Sequence, residues 1–380
     1  MAALALRAQL VGIGPLLPDI QADLGTTHAV VGLLGTIPVL CMGLFAPLAA
    51  YAAAHLGVRK AMTVGLAMIG LFGLLRGVVP NAILLVLVTV PIGIGMGIGN
   101  GVAPLVVKEW APERPASGTG IYTSGIQLGA AGSALLAVPL AAALGGWRWA
   151  LIAFSVIVCA ALALWLILTR DHPEHVAPAA KVPGLPWRSR RAWLLVAIFA
   201  SMSSSFYGLA TWLPDAYVER GWSAAEAGVL LSLISLPAIP ASFVIPRLSD
   251  HGASRRPALI TVSLMGLVAA IGLAAFASVA YAWALFAGIA QGGMLALVMT
   301  LPLDFEERPE RAGALVAMML CGGYTVAATA PVVLGAVRDV TGSFDAVLWA
   351  VVGFQCCLLA AVLMVWRIAS LVVPPANAHS

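Results

Sequence analysis

A single arginine, Arg7, interrupts the first apolar run of the chain. Asp19 marks the far end of that run, and twelve residues of helix place Arg7 about 18 Å away from it, near the middle of a bilayer. A charge at that depth costs at least about 2.5–3.5 kcal/mol, so it needs a wet cavity, a counter-charge or an anionic ligand. A guanidinium offers planar, permanently charged donors, which predicts an anion-binding site. The alternative is that Arg7 extends to the nearby membrane surface.

Uncharged polar side chains in later apolar runs could line the same cavity. Ser203, Tyr207 and Thr211 recur every four residues, so one face of a helix carries all three. The other candidates for the cavity are Gln127, Gln291 and Tyr324. Each of these groups could instead join neighbouring helices through hydrogen bonds, which we favour for Asn100 because glycines surround it.

Trp212 and the carboxylates are expected at the ends of apolar runs. The Trp212 side chain is interpreted as an interface anchor, or alternatively as a gate on the outer side. Asp19, Asp215, Glu219 and Glu226 are all predicted at the outer edge, so no carboxylate is expected deep in a helix. Proton-coupled carriers usually carry such a deep group, so coupling to protons and facilitated uniport both stay open.

The composition decides which solvent surrounds these helices. Of the 380 residues, 61% are hydrophobic and only 9% are charged, whereas a soluble domain carries about 25% charged residues. A soluble enzyme, a disordered protein and a nucleic-acid binder are thereby excluded, and lipid must cover most of the surface. The five cysteines lie in apolar runs and are expected to pack as small hydrophobes. Twelve spanning helices are predicted, roughly at 2–20, 29–53, 61–79, 82–107, 119–143, 149–169, 192–213, 225–246, 257–277, 281–303, 313–337 and 346–367.

Basic residues predict the orientation of these helices. Most of the twenty lysines and arginines fall in loops on the side that holds both termini, and basic loops face the cytoplasm. Both termini are therefore predicted to be cytoplasmic, in a multi-pass protein of the plasma (inner) membrane. Arg76, Arg148, Arg220 and Arg338 are assigned to the outer side.

The chain repeats itself with one offset. Leu17-Pro18-Asp19 recurs as Leu213-Pro214-Asp215, 196 residues later, and three further matches lie 196 or 197 residues apart. Those matches are Gly32 with Gly228, His55 and Arg59-Lys60 with His251 and Arg255-Arg256, and Pro112-Glu113-Arg114 with Pro309-Glu310-Arg311. A constant offset along a half predicts an internal duplication. We divide the chain into a six-helix bundle at 1–169, a cytoplasmic linker at 170–191 and a second bundle at 192–380.

This 6+6 architecture resembles the major facilitator superfamily, whose loop between helices two and three reads Gly-x-x-x-Asp-Arg-x-Gly-Arg-Arg. Here Gly57, Arg59 and Lys60 match, but Ala54 replaces the acid. The duplicate loop keeps its acid as Asp250, followed by Arg255 and Arg256. The resemblance implies an all-α integral membrane protein with a latch between the halves on the cytoplasmic side. The alternative is that Arg59 and Lys60 contribute only to the excess of basic residues on that side. It also implies a central cavity between the halves.

Local motifs resemble the cyanate permease and nitroimidazole transporter branch of that family, which also has an arginine at the place of Arg7. These motifs include Gly14-Pro15-Leu16-Leu17-Pro18, Phe206-Tyr207-Gly208 and Gly322-Gly323-Tyr324. The resemblance implies a monomeric carrier of a small anionic or polar solute, cyanate-like, working by alternating access. Export of drug-like molecules is the alternative, and a membrane sensor without transport is a third.

The sequence contains no motif for nucleotide binding, metal binding or catalysis. There is no phosphate-binding glycine loop followed by Lys and Ser or Thr, no metal-ligand spacing and no nucleophile with a base. We therefore expect no ATP, no cofactor, no metal ion and no enzymatic activity.

Overall fold

The computed structural model describes residues 2–110, 115–170, 185–250, 255–306 and 309–370, and every regular element within these ranges is helical. Short 3₁₀ turns lie at Gly14–Leu16 and Ala277–Val279. The α-helices are α1 Ala2–Val11, α2 Leu17–Leu24, α3 His28–Leu44, α4 Ala46–Leu56, α5 Val58–Arg76, α6 Ala82–Trp110, α7 Pro115–Leu144, α8 Trp147–Leu168, α9 Arg190–Glu219, α10 Ala224–Ser235, α11 Ala238–Asp250, α12 Arg256–Ala275, α13 Ala280–Phe305, α14 Pro309–Ala327, α15 Thr329–Thr341 and α16 Phe344–Ser370.

Eleven helical segments of the described chain are long and apolar enough to cross a membrane. The second predicted span is divided, because α3 has 17 residues and α4 follows it after Phe45. The seventh differs in length: α9 continues six residues beyond the predicted end at 213, with Pro214 inside it. Large apolar side chains such as Ile83 and Ile121 point outwards, 73% and 75% exposed, as lipid-facing positions must.

The first span is broken near its middle, and a buried arginine stabilises the break. α1 ends at Val11, and Pro15, which has no backbone N–H, lies in the 3₁₀ turn that joins it to α2. Arg76 donates from Nη1 to the carbonyl of Gln9 at 3.1 Å and from Nη2 to Oγ1 of Thr89 at 2.8 Å. Its side chain is fully buried at the end of α5, inside the fold. The break in α1 leaves a carbonyl that an interior arginine can reach.

Two ion pairs show the internal duplication in three dimensions. Arg148 pairs with Asp23 in the first half, and Arg220 pairs with Asp345 at 2.7 Å in the second. The partners are 125 residues apart in both cases. The offset of 197 relates Asp23 to Arg220 and Arg148 to Asp345, so the acid and the base have changed places. The duplicated halves therefore share a contact whose charges have been exchanged.

The halves pack closely at the end of the bundle that carries Asp19, which we call the closed end. A Cβ added to Gly32 of α3 would lie 2.9 Å from the carbonyl oxygen of Pro331 in α15. A Cβ added to Gly228 of α10 would likewise lie 2.9 Å from the carbonyl oxygen of Ala134 in α7. The repeat offset relates Gly32 to Gly228 and Ala134 to Pro331. The crossing of α3 with α15 is therefore equivalent to that of α10 with α7.

Polar groups also join the halves at the closed end. The ring Nδ1 of His28 lies 2.8 Å from Oδ1 of Asp339, and the backbone N–H of Ala29 donates to Oδ2 of the same carboxylate at 3.1 Å. Asp339 of α15 therefore caps the N-terminus of α3 in the other half. The hydroxyl of Ser232 in α10 donates to the carbonyl of Ala131 in α7 at 2.9 Å.

Candidate functional site

Arg7 and Tyr207 meet between the two halves of the molecule. Nη1 of Arg7 in α1 donates to the hydroxyl oxygen of Tyr207 in α9 at 2.7 Å, and the guanidinium carbon lies 5.5 Å from the centre of the same ring. Arg7 is half-buried, whereas Tyr207 is 3% exposed. The close approach of α7 fixes α1 on its other side, because a Cβ at Gly129 would overlap the carbonyl of Leu4.

Aromatic rings surround this pair. Tyr324 of α14 lies 6.4 Å from Tyr207 between ring centres, and Phe199 packs edge-on against Tyr324 at 4.9 Å. Phe206 packs edge-on against Tyr207 at 5.3 Å. The arrangement offers flat apolar surfaces and phenol hydroxyls beside a fixed positive charge.

Tyr122 of α7 belongs to the same surroundings and was not predicted. Its hydroxyl donates to Oδ1 of Asn100 in α6 at 3.1 Å, and Tyr122 is a neighbour of Arg7 together with Tyr207 and Tyr324. Three of the six tyrosines of the chain thus gather around one arginine. A tyrosine in the middle of an apolar run was the available signal. The Asn100 amide also donates to the carbonyl of Met96, in keeping with the packing role expected for it.

Arg7 has donor capacity left over. Its Nε is buried and has no hydrogen-bond partner among the residues that the structure describes. No ion pair in the described ranges joins Arg7 to a carboxylate. A permanently charged group with an unused donor, beside a phenol, can bind an anion or a strongly polar solute through charge-assisted hydrogen bonds.

Three other residues predicted to line the cavity lie in α9 and α7. Ser203 and Thr211 occupy the turns of α9 on either side of Tyr207, and both are buried. The hydroxyl of Thr211 donates to the carbonyl of Tyr207 at 2.8 Å. Gln127 is half-buried in α7, two residues from Gly129.

Gln291 does not join this group. It lines a small cavity inside the second half with Ser205, Gly266 and Gln355, where there is room for about one water molecule. Gly292, the next residue, packs against the backbone of Ala238 in α11. The prediction that Gln291 faces the central cavity is corrected accordingly.

Trp212 lies at the closed end, not at a lipid interface. Its side chain is 1% exposed, and Nε1 donates to the carbonyl oxygen of Pro331 at 2.7 Å. Its ring lies 5.8 Å from that of His28 and 6.0 Å from that of Phe344. The interpretation as an interface anchor is wrong, because α9 extends past Trp212 and buries it where the halves meet.

Basic residues of the predicted latch make hydrogen bonds within their own halves. Nε of Arg59 donates to Oγ1 of Thr169 at 3.0 Å, and Nη1 of Arg255 bridges both carboxylate oxygens of Asp304 at 3.1 Å. Lys60 and Arg256 are exposed at the starts of α5 and α12. The side chain of Asp250 and residues 251–254 lie outside the described part of the chain, as do residues 171–184 of the predicted linker.

Asp215 is buried, although the sequence placed it at an outer edge. Its side chain is 5% exposed in the interior of α9. Its repeat equivalent, Asp19, is exposed. The difference arises because α9 continues to Glu219 and packs between the halves, while α2 is a short helix of eight residues.

Comparison with known proteins identifies the family. The model of the Major Facilitator Superfamily matches residues 1–328 and 218–380. The chain is 31% identical over 348 residues to the 2-nitroimidazole transporter of Escherichia coli K12, covering 91% of this chain and 88% of that protein. It is 29% identical over 345 residues to the cyanate transport protein CynX of the same organism, covering 90% and 89%.

Solved structures share the fold. A bacterial homologue of the human lysosomal transporter Spinster, in an inward-facing and occupied conformation, superposes with a TM-score of 0.71 at 16% identity, covering 97% of this chain and 93% of that one. A D-xylose–proton symporter superposes with a TM-score of 0.72 at 14% identity, covering 96% and 95%. The chain therefore belongs to the Major Facilitator Superfamily and is a multi-pass membrane transporter of small solutes.

Proposed function

We propose that this transporter carries a small anionic or polar solute, cyanate-like in chemistry, and binds it at Arg7. The observation that carries the proposal is the buried Nε of Arg7, which has no partner among the described residues. A charge in a membrane needs compensation, and no described carboxylate pairs with this one. An anionic solute supplies that compensation.

Tyr207 and Tyr324 complete the proposed site from the second half. The hydroxyl of Tyr207 holds the guanidinium at 2.7 Å, and Tyr324 lies beside the same ring. Ser203, Thr211 and Gln127 are proposed as further polar lining of the pathway. A solute held between residues of both halves favours their closure around it, which is the basis of alternating access by rocking.

The closed end supports a gate on one side of that site. Trp212 is buried against Pro331, and His28 joins Asp339 across the halves. We propose that these contacts open and re-form during transport, with Trp212 as part of the gate. Arg59, Lys60, Asp250, Arg255 and Arg256 are proposed to act as the latch at the opposite end.

The basic loops support an orientation with both termini in the cytoplasm and the closed end outside. We place the transporter in the plasma (inner) membrane as a monomer. An impermeant thiol reagent applied to intact cells tests the orientation: it should label a cysteine introduced at Val340, which is 86% exposed. Labelling only after the cells are opened would reverse it.

Export of nitroimidazole-type compounds is the second candidate. Tyr207, Phe206, Tyr324 and Phe199 present ring surfaces that suit a flat heterocycle. A relative 31% identical is the 2-nitroimidazole transporter. A fixed cation at the site favours polar or anionic solutes over cationic ones within this class.

Flux measurements in proteoliposomes test the assignment. Labelled cyanate and labelled 2-nitroimidazole are offered to vesicles containing wild type, Arg7→Lys or Arg7→Ala. We expect anion flux in wild type, a strong reduction in Arg7→Lys and loss in Arg7→Ala. A point charge cannot reproduce the guanidinium donors, and alanine removes the charge.

Arg148→Ala serves as the matched control, because it removes an arginine at the closed end that pairs with Asp23. Nitroimidazole flux without anion flux would favour the second candidate. Binding in thermal-shift assays without flux of either solute would favour a sensor. Equal anion flux in all arginine variants would exclude Arg7 as the binding residue.

A further inference from the structure

Asp215 is a buried carboxylate whose charge nothing in the described structure balances directly. The side chain is 5% exposed, and its Oδ1 is buried without a hydrogen-bond partner. No ion pair within the described ranges includes it. An ionised carboxylate in that position would carry a large desolvation cost.

Arg338 of α15 is the basic group that acts electrostatically on Asp215. Its Nη2 bonds Oε2 of Glu219 at 2.8 Å, whereas its Nε is buried and unpartnered within the described chain. An orphaned donor on a cation and an orphaned acceptor on an acid thus occur together at the closed end. The two groups act on each other without being bonded.

The other charged groups around Asp215 are engaged elsewhere or exposed. Asp19 of α2 acts on Asp215 as a like charge and is exposed. Among the helices packed against α9, α3 contributes His28, which is bonded to Asp339 of α15, and α16 contributes Asp345, which is bonded to Arg220. In α10, Glu226 bonds Ser223 at the start of the helix.

We propose that Asp215 is a proton-binding site of the gate: it holds a proton while the closed end is closed, and it loses that proton and pairs with Arg338 when this end opens. The neutral acid can stay buried without a partner charge, whereas the anion needs one. The proton leaves to the solution on the closed-end side, where opening admits water. Acid on that side therefore favours the closed state.

The inference uses the transporter fold and rests on the proposed gate, but it does not depend on which solute is carried. Infrared spectroscopy of the purified protein tests it without any solute. In wild type, the C=O stretching band of a protonated carboxylic acid should be present at neutral pH. It should be lost in Asp215→Asn and kept in Asp19→Asn, the exposed repeat equivalent.

A second variant keeps the test decisive if Asp215→Asn fails to fold. Arg338→Gln removes the partner of the ionised form, so the carboxylic acid band should persist to higher pH than in wild type. A band unchanged in Asp215→Asn, or an unchanged pH range in Arg338→Gln, would overturn the proposal. Absence of anion flux in the Arg7 experiment would leave this spectroscopic result unaffected.

Accessibility of the gate gives the functional readout. Val31 of α3 is 2% exposed, and a cysteine there, in a background without the five native cysteines, reports opening through maleimide labelling. Labelling should rise with pH in the Asp215 background and stay low and independent of pH in Asp215→Asn. A cysteine at Val340 corrects for the pH dependence of the thiol itself. The same pH dependence in both backgrounds would contradict the proposal.

Discussion

A tyrosine from the opposite half fixes the position of Arg7. The 2.7 Å hydrogen bond joins residues 200 positions apart, and the phenol also presents its ring to the guanidinium. One side chain therefore supplies both a polar and an aromatic contact. Because the partners come from different halves, movement of the halves changes what surrounds the charge.

Tyr207→Phe removes the hydroxyl and keeps the ring. A hydrogen bond to a charged group contributes about 1.5–3 kcal/mol, so we expect anion affinity to fall by about tenfold or more. Titration of the purified protein with cyanate measures the change. Tyr217→Phe is the control, because that hydroxyl donates to the carbonyl of Leu273. If both variants bind cyanate as tightly as wild type, Tyr207 does not position Arg7.

Single residues were predictable where they stood out from an apolar run. Arg7, Tyr207 and Tyr324 were identified in this way, and the structure brings them together. The burial of Asp215 was not predictable, because the same Leu-Pro-Asp motif occurs in α2 and α9, and only tertiary packing buries the second copy. Gln291 lines a different cavity. The spacing of residues within one helix cannot show which neighbouring helix a side chain faces.

At the scale of elements, α1 is a half-helix that depends on α5. The carbonyl of Gln9 would accept from Ile13 in a continuous helix, but α1 ends at Val11 and Arg76 takes that role. Thr89 holds the other side of the same guanidinium. The break that ends α1 just beyond Arg7 is thus stabilised by a charge from a neighbouring helix.

Arg76→Leu tests this support. It leaves the carbonyl of Gln9 without its donor, so we expect a loss of about 1–3 kcal/mol in the free energy of unfolding. Arg148→Leu should change it by about 0–1 kcal/mol, because the ion pair with Asp23 is partly exposed. Melting curves of the two purified variants give the comparison. Equal melting temperatures would mean that the break in α1 does not require Arg76.

The two glycine crossings of the closed end should be sensitive to an added methyl group. Gly32→Ala and Gly228→Ala each place a Cβ 2.9 Å from a backbone oxygen in the other half, so each should weaken the closed state. Spin labels at Ala22 and Val340 should lie farther apart in both variants than in wild type, as measured by electron paramagnetic resonance. Gly132→Ala in α7 is the control, since a Cβ there meets nothing within 4 Å. Unchanged distances would show that the crossing tolerates a methyl group.

For the whole molecule, the constant offset found in the sequence has counterparts in the structure. Residues separated by that offset form equivalent glycine crossings, and they form two ion pairs in which the acid and the base are exchanged. The breaks in the first and second spans and the length of α9 were not predictable from hydropathy. Hydropathy measures whether a segment suits lipid, not where proline or a neighbouring helix ends it.

Cutting the chain within the predicted linker, 170–191, tests whether each half is a unit. A protease site inserted there should leave two fragments that co-purify in detergent, because crossings of α3 with α15 and of α10 with α7 still join them. The fragments should also keep the melting temperature of the intact chain. A cut at 251–254 lies inside the second half and separates helices that share one core, so it should lower that temperature. Separation of the fragments after the linker cut would mean that the halves need their covalent connection to stay together.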